Sequence, residues 1–309
     1  MKVGSLLCLL LVLAPLRFIS AEPLVQIETV AIRHPGNVGD PNTGFGAVPY
    51  EFRLGKFEVS IACYTAFLNA VAASDSHALY NPLMATDLNI AGIMRTGESG
   101  TFVYAAIGTG ERPIAQVSWF DAARFCNWLH NGGTPGADTE NGAYPLNGAA
   151  DGIIPRNPDA KWWIPTEEEW YKAAYYQPAA EGGDKDDYWL YATRSNDLPG
   201  NKIGDQPNQA NYCAPTLFVT GEPTPAPAQN YLTPGGGFSA SASFYGTYDQ
   251  TGNVWEWIDA VMGPRHRSLR SGGWNNPERY LPATFRHTPF WAGQELPEVG
   301  FRVATGAGP

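Results

Sequence analysis

Charge is scarce in this chain. Asp, Glu, Lys and Arg make up 16% of its 309 residues, and the basic share is the smaller, 20 Lys plus Arg against 30 Asp plus Glu. A formal net charge of −10 offers no basic face to a phosphate backbone, which argues against non-specific nucleic-acid binding. Cysteine is scarcer still: there are 4, with no C-x-x-C pattern, so a cysteine-based zinc site has no support. Beyond the N-terminal segment no run is long and apolar enough to span a bilayer, so no membrane span is expected in the processed chain. The G-x-S-x-G, H-E-x-x-H and P-loop patterns are missing too, as is any internal repeat.

The N-terminus has its own pattern. Lys2 is followed by an apolar stretch from Leu6 to Leu13, broken at Pro15 and Arg17 and ending in the small residues Ser20 and Ala21. This reads as a secretory signal over residues 1–21, cleaved before Glu22, rather than as a membrane anchor. Cys8 has no small residues before it, which speaks against a lipoprotein site. The expected mature chain, residues 22–309, is then secreted, periplasmic or otherwise extracytoplasmic. It carries Cys63, Cys126 and Cys213, an odd number that leaves either one disulfide plus a free thiol or no disulfide.

What the chain has in quantity is Gly (34), Pro (26) and Trp (10). Gly and Pro interrupt regular elements, so much irregular backbone is expected around an aromatic-rich core. Residues 25–32 and 51–59 alternate as strands, and 268–274 and 300–304 are strand-like. Three helices stand out: 60–74 with Ser60 as N-cap, 117–133 with a Ser118/Asp121 capping box, and 164–178 with a Thr166/Glu169 box. On the second helix Trp119, Ala122, Ala123, Cys126 and Leu129 make the buried stripe, with Gly132 and Gly133 as terminators. The acids of TEEEW read as solvated, capping charges at a helix N-terminus. One α+β domain with long loops over 131–160 and 177–247 is the simplest arrangement.

The stretch DQTGNVWEW, residues 249–257, places two carboxylates around a Gly-Asn turn and follows them with two tryptophans. Two readings stand. Its oxygens surround a hard cation such as calcium, which takes six to eight oxygen ligands from a flexible loop; or it is a tight turn into a core strand, with Glu256 paired to a buried arginine such as Arg286 or Arg302. The oxygen-rich spacing favours the first. The tryptophans are core residues in either case.

Five blocks, ERPIAQVSWFDAARFCNWL, WIPTEEEWYKAAYY, YGTYDQTGNVWEW, RSLRSGGW and FRHTPF…VGFRVA, stand in the order found in the formylglycine-generating enzyme (sulfatase-modifying factor) family. The chain resembles that family over residues 26–304. The resemblance implies a loop-rich α+β fold related to C-type lectin-like domains. It also implies an ancestral activity, oxidation of a sulfatase cysteine to formylglycine by two copper-holding cysteines shortly after the segment matching Gly272-Gly273-Trp274. Here that stretch reads SGGWNNPERYLPATFRHT, residues 271–288, without a cysteine. Since soft thiolates are what select Cu(I), copper is not expected as a cofactor. A family disulfide from the position of Cys126 is also expected to be absent, because Val303 stands at the partner position, while a Cys63–Cys126 bridge stays open.

Carried across residue by residue, the family's calcium site falls on the side chains of Asp249 and Glu256 and the carbonyls of Gly252 and Val254. A second site starts at Asn211 with the Tyr212 carbonyl. The enzymes' peptide-binding groove falls on loops holding Trp274, Tyr280, Phe290 and Trp291, with Asn275, Asn276 and Arg279 nearby. Of the scattered histidines, His266 and His287 could join Arg286 there, although lone histidines are more often structural. An aromatic groove with polar neighbours suits a peptide or a carbohydrate. The leading expectation is therefore an exported binding module of this fold; the alternative is a formylglycine-type oxidase with a divergent site, with Cys213 recruited.

Overall fold

The computed structural model describes residues 22–214 and 217–307; the expected signal segment lies outside them. In chain order the elements are β1 (Thr29–Ile32), β2 (Phe52–Gly55), α1 (Ile61–Val71), α2 (Leu83–Thr86), β3 (Ile93–Thr96), β4 (Val103–Ala106), α3 (Trp119–His130), β5 (Trp162–Trp163), α4 (Glu167–Tyr175), β6 (Trp255–Gly263), β7 (His266–Arg270), β8 (His287–Trp291), β9 (Val299–Gly300) and β10 (Ala304–Gly306). They form a sheet of order β1-β2-β10-β5, a β3-β4 hairpin and a sheet of order β8-β7-β6-β9. All pairings are antiparallel except β6 with β9.

The three long helices begin where local chemistry starts them. Ser60 accepts from the Cys63 amide at 3.2 Å. At α3, Ser118 Oγ accepts from the Asp121 amide (3.2 Å) while Asp121 Oδ2 accepts from the Ser118 amide (2.8 Å). At α4 the Thr166/Glu169 box closes in the same way, 3.2 and 2.8 Å. Each reciprocal pair satisfies two amides that the helix leaves without intrahelical partners.

Helix α3 is buried on all sides up to its last residue, His130, a wider burial than the single stripe expected. The reason lies in the loop after it. Arg124 Nε donates to Glu140 Oε1 at 2.7 Å, and Asn127 donates to the carbonyls of Thr139 and Tyr144, both at 2.8 Å. Polar side chains on the helix thus supply partners that the irregular 139–144 backbone would otherwise lack. On its other face Phe125 packs edge-on against Phe67 of α1 (5.3 Å) and Phe301 (5.4 Å).

Several strand expectations need correcting. β7 stops at Arg270 because Ser271 (φ 103°) and Gly272 (φ 99°) turn into the left-handed region, so 271–274 leaves the ladder. The closing strand divides into β9 and β10, with Arg302 between them turned wholly inward. β1 and β2 are shorter than the alternating runs. The β3-β4 hairpin and β8 carry no alternation strong enough to find. Cys63, Cys126 and Cys213 are all unpaired, so the Cys63–Cys126 bridge that stayed open does not form.

Candidate functional site

Trp255, first residue of β6 and nearly buried, is the floor of an aromatic shelf. The rings of Tyr280 (6.0 Å), Phe285 (5.8 Å) and His287 (5.2 Å, perpendicular) pack on it. Phe285 sits edge-on to Tyr280 at 4.8 Å and His287 to Phe290 at 5.1 Å. All four are half-buried, so each still presents part of its ring to solvent. Arg279 is exposed and lies over Tyr280 at 4.5 Å. Burial pushes the His287 imidazole below its ordinary value, so it is neutral at pH 7.

The loop before the shelf is held by Asn276, whose Oδ1 accepts from Trp255 Nε1 (2.5 Å) and the Gly273 amide (2.9 Å). Gly273 has to be glycine: a Cβ there would stand 2.9 Å from Glu298 Cβ and 3.1 Å from Asn276 Oδ1. Asn276 is thus a positioning residue through its Oδ1. Beside it, Asn275 Oδ1 is buried without a hydrogen-bond partner among the described residues. The neighbouring Glu298 carboxyl is raised by burial and partly brought back by the Asn275 side chain.

The far side of the shelf is clamped by Glu167. Its carboxylate takes Arg270 Nε (2.9 Å) and Nη2 (2.6 Å), and Arg286 Nε at 2.6 Å with a second bond from Arg286 Nη2. Arg270 Nη1 then donates to the carbonyls of Ala283 and Phe285, each at 2.8 Å. The TEEEW acids were expected to be solvated. Glu167 and Glu169 are instead buried, because one anchors two arginines and the other holds both its cap and Trp163 Nε1 (3.0 Å).

The expected groove residues therefore separate. Arg279 and His287 belong to the shelf, and Asn276 supports it. Arg286 is committed to Glu167. Trp274 points away into the core, stacked on Tyr231 at 5.1 Å and 5°, with its Nε1 donating to Pro297 O at 3.3 Å. His266 lies opposite Trp291 and His287 opposite Leu269, towards opposite ends of the β7-β8 ladder, so the two histidines do not converge with Arg286. Phe285 was missed from the sequence; its place between Tyr280 and His287 is the signal that was available.

Of the DQTGNVWEW carboxylates, Glu256 closes on a guanidinium. Glu256 Oε1 accepts from Arg302 Nη2 (2.7 Å), and Oε2 from Arg302 Nε (2.6 Å) and Trp170 Nε1 (2.8 Å). Arg302 also donates to the carbonyls of Gly55 (3.0 Å) and Tyr248 (2.9 Å). Asp249 Oδ2 accepts from the Gly236 amide at 2.8 Å, and the Gly252 carbonyl accepts from Ser271 Oγ at 2.9 Å. A calcium ion among Asp249, Gly252, Val254 and Glu256 would have to displace that guanidinium from both Glu256 oxygens, so this set does not fit the ion. Asn211 differs: its Nδ2 donates to Tyr231 O at 2.8 Å while its Oδ1 is buried without a partner among the described residues.

Sequence reasoning also missed Glu58, which joins the same cluster. Its Oε1 accepts from Asn253 Nδ2 at 3.0 Å. Burial, then the charge of Asp249, pushes the Glu58 carboxyl well above its usual range, and burial pushes Asp249 up to about 6.

Buried carboxyls set the pH response elsewhere too. Burial raises Asp121 and Asp259 from 3.8 to about 6, and Glu295 from 4.5 to about 7. A raised carboxyl contributes stability that is fully present below its unfolded pKa and is lost as pH rises through the folded one. His130 and His287, both lowered by burial, act in the opposite sense below about pH 6.5. With these three carboxyls acting in the same sense as Glu58 and Asp249, against two partly exposed imidazoles, Tm should rise as pH falls from 8 towards 5.5, at about 2–4 °C per kcal/mol for a chain of this size class. Glu295→Gln should flatten the upper part of that rise. A Tm falling throughout that range would contradict it.

Residues 45–307 match the sulfatase-modifying factor enzyme 1-like domain. Among curated proteins, the mouse and bovine proteins named inactive C-alpha-formylglycine-generating enzyme 2 are each 27% identical over 208 residues, 64% of this chain and 50% and 52% of theirs. The chain thus spans about half the length of these relatives. Among solved structures, CarF superposes with a TM-score of 0.52 at 21% identity, covering 92% of this chain and 100% of its own, a likeness of fold alone. With the matched domain running from before β2 through β10, the chain belongs to the sulfatase-modifying factor, or formylglycine-generating enzyme, family.

Proposed function

We propose that this chain is an exported, non-catalytic binding module of its family, a single domain over residues 22–309, whose ligand is a peptide segment or a carbohydrate lying on the Tyr280–Phe285–His287–Phe290 shelf. The observation that carries the reading is the shelf itself: part-exposed rings on a floor of Trp255, fixed at both ends by Asn276 and Glu167. Such a surface stacks against sugar faces or apolar side chains at little conformational cost. The chemistry of the cysteines supports the non-catalytic part. The stretch 271–288 holds none, Cys126 is fully buried with its thiol pushed up by burial, and the Cys213 thiol is raised by burial and then by Glu278, whereas copper and dioxygen chemistry needs thiolates. The relatives' printed name, inactive, agrees.

Peptide and glycan arrays probed with the mature chain should yield binders that Tyr280→Ala weakens at least tenfold. Stoichiometric Cu(I) uptake quenched by thiol alkylation, with oxygen consumption on a cysteine-containing sulfatase-type peptide, would overturn the reading in favour of an oxidase using Cys213. Export predicts that the protein recovered from a secreting host starts at Glu22; an intact Met1 would count against it.

We further propose that calcium binds at Asn211 and the Tyr212 carbonyl rather than at Glu256. The orphaned Asn211 Oδ1 supports this, since a buried carbonyl oxygen without a donor is what a hard cation takes. Saturating calcium over a chelator should stabilise the fold by about 2.7 kcal/mol at a hundredfold excess over Kd, and Asn211→Ala should abolish that gain. An identical Tm with calcium and chelator retires the site.

A further inference from the structure

The shelf is unevenly charged. Three guanidiniums stand around it, Arg270, Arg279 and Arg286, with one carboxylate to pair with them. Arg270 and Arg286 both close on Glu167, and no other carboxylate is within ion-pair distance of either among the described residues. Arg270 is buried, while 25% of the Arg286 side chain is exposed. At the other end Arg279 is exposed and forms no ion pair among the described residues. Its Nη2 donates to the Tyr280 hydroxyl at 3.1 Å, and the rest of the fork makes no hydrogen bond among the described residues. In a chain of net charge −10 this is a local surplus of positive charge, beside a His287 that is neutral.

The acids nearby do not cancel that surplus. Burial, then the charge of Glu278, raises the Tyr191 and Tyr212 hydroxyls and the Cys213 thiol, which places that carboxylate on the Tyr191–Tyr212 side of the loop. Glu298, across Gly273, is raised by burial, which favours its neutral form. The rings carry a second bias. Tyr280 and Phe285 stand at 88°, Phe285 and His287 at 83°, His287 and Phe290 at 90°. No two neighbours in the row share a plane. A pyranose binds by laying its flat C–H face along ring faces, and here that track is interrupted at every step. An aromatic side chain instead joins the row as one more perpendicular member, edge against face.

We propose that the shelf recognises an acidic peptide segment, in which an aromatic side chain packs into the ring row and a carboxylate two residues away reaches Arg279. In an extended segment, residues i and i+2 face the same way, roughly 7 Å apart. The Arg279 guanidinium lies 4.5 Å from the Tyr280 ring centroid, itself 4.8 Å from that of Phe285, a span that two such side chains cover. The free guanidinium fork matches a carboxylate in shape as well as in charge. Resting on the shelf as the binding surface, this narrows its ligand to one class and makes Arg279 the residue that reads charge.

The probes are the acetylated peptide amides Gly-Gly-Phe-Gly-X-Gly-Gly and Gly-Gly-X-Gly-Phe-Gly-Gly with X as Glu, Gln or Lys. A neutral and a glucuronate-containing trisaccharide are run alongside, and all are titrated against the mature chain at neutral pH by ligand-observed NMR. In at least one order the Glu peptide should bind roughly threefold more tightly than its Gln counterpart, with Lys weakest, and high salt should shrink the gap. Arg279→Gln, an exposed substitution whose unchanged Tm confirms the fold, should level Glu with Gln. Arg279→Lys should keep part of the preference, since it retains the charge without the fork. Peptide binding with no preference for Glu, or a preference that survives Arg279→Gln, overturns the proposal. Binding of a trisaccharide alone, weakened by Tyr280→Ala, also overturns it and leaves the shelf as a carbohydrate site. Binding of no probe, or binding that Tyr280→Ala does not weaken, removes the shelf reading and the acidic peptide together.

Discussion

Arg302→Met is expected to destabilise the fold by about 3–5 kcal/mol at neutral pH, the range for breaking a buried ion pair from one side. The guanidinium is wholly buried, answers both oxygens of Glu256 and ties the carbonyls of Gly55 and Tyr248 together. Removing it leaves Glu58, Asp249 and Glu256 in a low-dielectric site with no cation and strands two carbonyls. Burial raises the Glu58 and Asp249 carboxyls, so the variant should recover part of the loss on acidification as these groups accept protons. Urea unfolding at pH 7.5 and pH 5.5 reads both effects. A loss below 1 kcal/mol at pH 7.5, or one that deepens at pH 5.5, would mean that the cluster is held by something other than Arg302.

The second large effect is at Glu167. Glu167→Ala leaves Arg270 buried without its carboxylate and frees Arg286, again about 3–5 kcal/mol by the same mechanism. It should also be felt on the shelf, since Arg270 is what fixes the carbonyls of Ala283 and Phe285. The expected signature is a folded but loosened protein in which backbone amides of 283–291 exchange faster with solvent while those of α3 do not. Glu167→Gln, which retains the acceptors but not the charge, should lose less. If amide exchange rises uniformly, the clamp is a general stabiliser and not a device that positions the shelf.

The parts legible in the sequence were those whose cause is local. Ser118 with Asp121 and Thr166 with Glu169 announce helix starts because a capping box is completed within four residues. The loop-rich character followed from Gly and Pro, and the family from five blocks in order. What stayed hidden depends on partners far away in the chain. Glu256 was readable as either a cation ligand or an arginine partner, and the decision lies 46 residues downstream at Arg302. Glu167 looked like one more helix-terminal charge because Arg270 and Arg286, which bury it, stand 103 and 119 residues away. Trp274 looked like a groove residue because nothing nearby in sequence reveals Tyr231 beneath it. Glu58 belongs to an ordinary-looking strand end, and Asn253, which holds its carboxyl in the interior, stands 195 residues away.

The placement of β9 and β10 bears on when this protein can fold. Ala304 stands between Leu54 of β2 and Trp163 of β5, so the first sheet has a gap in its middle until that residue arrives. Val299 and Gly300 complete the second sheet beside β6, and Arg302, between β9 and β10, neutralises Glu256. Contacts between positions near 54 and near 304 are about as non-local as the chain allows, which slows closure. Until residues 299–306 are in place, the chain therefore holds two unfinished sheets with open strand edges and an uncompensated acidic core.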